Sequence, residues 1–356
     1  MKKKVIMIEK PILSTWSSES HFMSLILKQK EAMSWVVNNY MNLIGHFFED
    51  TQMITLGFFP RHDPTNPESP INAWNTCPFV ETKCVSYEFI SDNYESIISY
   101  LVEAINEEWC VYLDLRQEFL DRKMPIGTHK TFIYGYDDIE KVMMVADHYA
   151  NGKYDTEKIG YENIKLSFEK AYERNVQIES NKRFSDKKQS IFELRKIILI
   201  KLRECDYTFN VEWFKIQLND YINSRYTLEC VAPVHKINNT KLFYGIECYK
   251  FVIDYMYVLL EERINRIDWR CITLLCDHKK MLKIRIEYFY VNKICDITEQ
   301  EIKGYEYLVK QSQVVLNCFL KYCIKQDKAI LIRIIEKIRK MKEIEVVLLE
   351  GLINKI

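Results

Sequence analysis

Glycine and proline are scarce here, nine and eight among 356 residues. No G-x-G-x-x-G and no G-x-x-x-x-G-K-[ST] occurs, so no segment cradles phosphate on glycine amides, which disfavours dinucleotide and P-loop chemistry. H-E-x-x-H and C-x-x-C are absent too, and no paired histidine completes Cys77 and Cys84 into a zinc set. No cysteine precedes Cys77. No apolar run approaches the ~20 residues of a membrane-spanning helix. The start, Met1-Lys2-Lys3-Lys4-Val5-Ile6-Met7-Ile8-Glu9, is charged too early for a signal peptide, and the expectation is a cytoplasmic protein. Net charge is missing as well: Lys+Arg and Asp+Glu are 50 each. That removes the electrostatic footprint of a nucleic-acid binder.

What is present is ample core material, with 48% hydrophobic and 28% charged residues. The length suits two domains of ordinary size, expected at 1–176 and 177–356. The neutral total hides an asymmetry. Residues 1–176 hold 18 basic and 26 acidic side chains, a balance of −8, leaving +8 for the rest. Matched halves fit two domains of one molecule, and the basic half is also a candidate face for an acidic partner. Eleven cysteines, an odd number mostly inside helical patterns, read as buried thiols.

Along the chain, Val5–Ile8 reads as a short strand ending at Pro11. The polar run from Ser14 to Ser20 then supplies N-caps for one long helix carrying Phe22, Leu25, Ile26, Met33, Val36 and Val37. Met53–Phe59 is a strand candidate, followed by a loop with four prolines. An amphipathic helix from Tyr94 to Glu107 feeds a buried strand at Trp109–Leu115. His129–Tyr136 and Lys141–Asp147 read as an antiparallel pair. Beyond residue 177 long helical patterns dominate, at 188–205, 211–223, 243–266, 268–291, 299–325 and 327–355. The expected class is α+β for the first domain and an all-α helical domain for the second.

Three positions could carry chemistry. A nucleophile at the start of the helix near Ser20 would sit beside unpaired backbone amides, which stabilise developing negative charge. His129 begins one strand and Asp147 ends the next, so a hairpin puts both at one end of the sheet, where a carboxylate can orient an imidazole. The bland alternatives are a hydrogen-bonded structural histidine and an aspartate that caps a turn. A shift of alignment would bring Ser17 or Ser18 into the role of Ser20. His21, Trp16 and Trp74 are candidates to line the site. Core packing is the usual fate of such tryptophans.

The run Gly127-Thr128-His129-Lys130-Thr131-Phe132-Ile133-Tyr134-Gly135-Tyr136-Asp137-Asp138, followed by Val145-Ala146-Asp147, resembles the histidine and acid strands of papain-like proteins. More narrowly it resembles the acyltransferase group around butirosin biosynthesis protein H and the amide-forming enzyme of closthioamide assembly. Trp35–Tyr40 and Asp277–Arg285 add to the likeness. The resemblance implies a papain-like fold that passes an acyl group from a carrier-protein thioester, through an active-site nucleophile, to an amine acceptor. It implies an acyl- or peptidyl-carrier partner and no cofactor of the protein's own, the phosphopantetheine arm belonging to the donor. It assigns His129 as general base, Asp147 as its orienting acid and Ser20 to the nucleophile position. The family has cysteine there, which leaves three readings: a working serine, a replaced cysteine, or a homologue that binds a carrier or product without catalysis. A hydrolase of the same fold is a further alternative.

Overall fold

The computed structural model describes residues 2–49, 53–59, 73–120, 127–149, 152–180, 196–227, 240–263 and 267–356. The proline loop and His62 lie outside these. The molecule is α+β, and its chain forms two compact units, each built from two separate stretches. One unit comprises 1–32 and 63–206; the other comprises 33–62 and 207–356. Contacts therefore do not divide the chain at residue 176: residues 33–62 fold with the later segment and 177–206 with the earlier one.

The first unit is built on an antiparallel sheet. Its strands are β1 (Lys3–Val5), β4 (Val80–Ser86), β5 (Cys110–Arg116), β6 (Thr128–Asp137), β7 (Val142–His148), β8 (Tyr154–Gly160) and β9 (Lys196–Leu202). The order is β4-β9-β5-β6-β7-β8, and β1 follows β5 along the same edge of the long β6. On its other edge, the pairing of β6 with β7 shifts register between Ile133 and Gly135. Around the sheet are α1 (Ser17–Ile26), α3 (Ala73–Thr76), α4 (Tyr87–Asn93), α5 (Ile97–Asn106) and α6 (Tyr161–Ser180). Helix α5 starts at a capping box of Ser96 and Ser99.

Two expectations change here. The helix expected across 188–205 is, where described, the strand β9, inserted between β4 and β5. Its Lys-Ile-Ile-Leu-Ile-Lys-Leu run is apolar on both faces, so periodicity alone does not separate it from a buried helix. The single helix expected from Phe22 to Val37 is two: α1 ends at Ile26, and α2 (Ala32–Asn39) begins after the polar run Lys28-Gln29-Lys30-Glu31, which has nothing to bury.

The second unit is not all-α. It contains α2 from residue 33 and a three-stranded antiparallel sheet ordered β10-β2-β3, made of β2 (Asn42–Phe48), β3 (Met53–Phe59) and β10 (Thr240–Tyr244). His46 lies in β2. The sheet packs with α7 (Val211–Ile222), α8 (Cys248–Leu260), α9 (Arg270–Asn292), α10 (Glu299–Lys325) and α11 (Lys328–Ile353). The helical expectation fails because β2 comes from the early part of the chain and β10 is only five residues long, directly before a helix.

Candidate functional site

The pairing of β6 with β7 runs Phe132↔Ala146 and Ile133↔Val145. One step further, Thr131 stands opposite Asp147, and its hydroxyl donates to Asp147 Oδ2 at 3.0 Å. Side chains alternate across a strand, so His129 shares that face two residues along. His129 Nδ1 lies 3.0 Å from Asp147 Oδ1, with the imidazole side chain 35% exposed and the carboxylate wholly buried. The backbone N–H of His148 also donates to Oδ1, at 2.7 Å. The carboxylate is held by hydrogen bonds from Thr131 and the His148 N–H, and it approaches His129 Nδ1 at ion-pair distance without an aligned hydrogen bond. It favours a proton on Nδ1, which leaves Nε2 as the basic nitrogen of a partly exposed ring.

Helix α1 lies on the other face. His21 is fully buried and stacks on Phe132, with ring centroids 5.2 Å apart, and meets the rings of Tyr112 and Tyr154 at 5.4 Å each. Its Nε2 is 3.3 Å from the Lys130 carbonyl and its Nδ1 is 3.0 Å from the Tyr154 hydroxyl. A carbonyl only accepts, so Nε2 carries the proton and Nδ1 accepts from Tyr154. Burial pushes the pKa of this ring down from 6.5 to about 3, and the Asp147 carboxylate opposes only part of that shift. His21 is therefore a neutral packing residue rather than a group open to substrate.

Ser20 is also fully buried on this helix. Its hydroxyl lies 3.0 Å from the carbonyls of both Leu13 and Trp16, and 3.3 Å from His148 Nε2. That same nitrogen is 2.9 Å from the Ser14 carbonyl. His148 Nε2 must then carry a proton to donate, so it does not act as a base toward Ser20. The serine proton is already given to backbone oxygen. Such back-bonding to residue i−4 is a structural use of serine.

The structure therefore joins His129 to Asp147 and separates Ser20 from them. Among the described residues Ser20 meets Leu13, Trp16 and His148, and the helix and the His–Asp pair lie on opposite faces of one sheet. Ser17 opens α1 with its hydroxyl bonded to Tyr112, and Ser18 donates to Glu19 at 3.1 Å. Trp16 is half-buried as the residue before the helix. Trp74 is buried edge-on against Tyr112 at 4.6 Å, a packing contact. Among the described residues no group of three or more His, Cys, Asp or Glu could hold a metal ion.

The sequence reading gave no part to Thr131, Tyr154 or a buried polar cluster in the second unit. There Lys279 and Glu345, both at 0% exposure, form an ion pair. Glu345 also accepts from Tyr221 at 2.6 Å and Tyr249 at 2.8 Å, and Lys279 donates to His278 Nδ1 at 2.9 Å. His278 Nε2 in turn donates to the Met41 carbonyl at 2.8 Å. The available signal was polar residues at 278, 279 and 285 on the same helical stripe as Leu275, Leu282 and Phe289.

No protein-family model matches the chain, and no curated protein matches it in sequence.

Proposed function

We propose that the first unit is an acyl-transfer enzyme in which His129, oriented by Asp147, is the general base. It moves an acyl group from a carrier-protein thioester to an amine. The observation that carries this reading is the 3.0 Å contact between His129 Nδ1 and a buried Asp147, beside a ring still reachable from solvent. The antiparallel sheet with histidine and acid on adjacent strands supports a papain-like ancestry. The position of Ser20 departs from that pattern, so the reaction proposed is direct. The amine nitrogen attacks the thioester carbon; the C–N bond forms and the C–S bond breaks. His129 Nε2 takes the proton from the attacking amine and returns it to the leaving thiolate. The phosphopantetheine arm arrives with the carrier, and the protein needs no cofactor of its own for this step.

A second reading is favoured by the buried, already bonded hydroxyl of Ser20: a homologue without catalysis that binds a carrier or its product. One experiment separates the two. The protein is incubated with a simple acyl-pantetheine thioester and a panel of primary amines, and the products are followed by mass spectrometry. Amide formed equally by the native chain and by Ser20→Ala supports direct transfer. An acyl adduct on the peptide holding Ser20 overturns it in favour of a covalent route. No amide and no adduct from either protein leaves the binding reading.

A further inference from the structure

Helix α9 carries Arg285 into the interior of the second unit, where it is 1% exposed. Its Nε donates to the Val37 carbonyl at 2.7 Å and its Nη2 to the Tyr40 carbonyl at 2.8 Å, at the end of α2. The guanidinium sits 5.4 Å from the Phe214 ring centroid. Among the described residues no carboxylate contacts it. The neighbouring buried acids are engaged elsewhere, Glu345 by Lys279 and Asp277 by Lys280 at 3.0 Å. Arg285 is thus an interior cation without a carboxylate counter-charge, an arrangement that is unfavourable unless something offsets it.

Its Nη1 has no hydrogen-bond partner, and the same holds for the hydroxyl of Tyr305, which is buried at 1% exposure on α10. Arg285 lies seven residues before the end of α9 and Tyr305 six after the start of α10, and the two helices are joined by a short connection and packed together. Each acts electrostatically on the other. Burial lowers the Arg285 pKa to about 9, still above neutrality, so the charge persists. The carbonyls at the end of α2 supply only the partial negative charge of a short helix. A water would satisfy N–H groups but bring no charge.

We infer that Arg285 Nη1 and the Tyr305 hydroxyl together hold a small inorganic anion, of chloride size, between α9 and α10. Arg285 Nη1 offers only donors and a fixed positive charge, the Tyr305 hydroxyl can donate as well, and Leu282, Ile286 and Leu308 on the same two helices are each 2% exposed or less. This suits a single poorly hydrated anion rather than an organic acid.

The test is thermal unfolding of the full chain at constant ionic strength, with sodium chloride replacing sodium gluconate stepwise. The expected result is a saturable rise in Tm with chloride, with a midpoint shifted at least about tenfold upward in Tyr305→Phe, where one donor is lost. Arg285→Met should lose the chloride response altogether. Because that variant can fail to fold, bromide-soaked crystals of the native protein give an independent reading: an anomalous peak between Arg285 and Tyr305. A chloride-independent Tm, an unchanged midpoint in Tyr305→Phe, or density for water alone at that position would each overturn the inference.

Discussion

The most informative residue in the first unit, apart from the His–Asp pair, is a histidine that does no chemistry. His21 has a folded pKa near 3 against an ordinary value of 6.5. The unfolded chain therefore binds a proton in this window that the folded chain refuses. The stabilisation from neutral His21 is complete above pH 6.5 and is lost as pH falls toward 3, at about 1.4 kcal/mol per pH unit. Urea midpoints at pH 7.0 and 5.0 should show this slope in the native chain and a weaker one in His21→Gln; equal slopes would refute the assignment. At the site itself, Asp147→Asn should lower amide formation roughly 10²–10⁴-fold, because the imidazole loses the partner that sets its tautomer. Thr131→Val should act in the same direction more weakly, measured as the rate with one thioester and one amine.

Elements explain both what was legible in the sequence and what was not. The histidine and acid strands carry clear alternation and a turn at Asp137-Asp138, so their antiparallel pairing and the proximity of His129 to Asp147 could be read directly. The face could not. Whether the Ser20 helix covers the odd or the even residues of β6 depends on how Phe132 packs against His21, which no local pattern encodes. Strand β9 was hidden because a fully buried strand and a buried helix share one composition. The Trp35–Tyr40 and Asp277–Arg285 stretches, which add to the family likeness, are joined in the structure: His278 and Arg285 bond the carbonyls of Met41, Val37 and Tyr40. Polar residues at these positions hold two distant segments together. Within that region Lys279→Met should cost roughly 3–5 kcal/mol by stranding Glu345, and Lys279→Met/Glu345→Leu should cost less than the sum of its single changes. Chemical denaturation of the four proteins measures the coupling. Gly245 has φ +53°, and a Cβ there would come within 2.2 Å of the Tyr221 carbonyl. Gly245→Ala should therefore cost about 2 kcal/mol or more on the same assay.

At the scale of the whole molecule, each unit depends on two separated stretches of chain. A fragment of residues 177–356 lacks β2 and β3, leaves β10 without its partner, and strips His278 and Arg285 of their carbonyl acceptors. It should give a poorly dispersed amide spectrum, and a well-dispersed one would show that the later segment folds alone. The two units carry different burdens: the oriented imidazole belongs to the first, the interior ionic cluster to the second. The account rests on the imidazole. The measurement that tests it most directly is the rate of amide formation from an acyl-pantetheine thioester and an amine by the native chain beside His129→Gln. Amide formation in the native chain and a loss of at least about a hundredfold in the variant is the predicted result. Equal rates in the two proteins would contradict it.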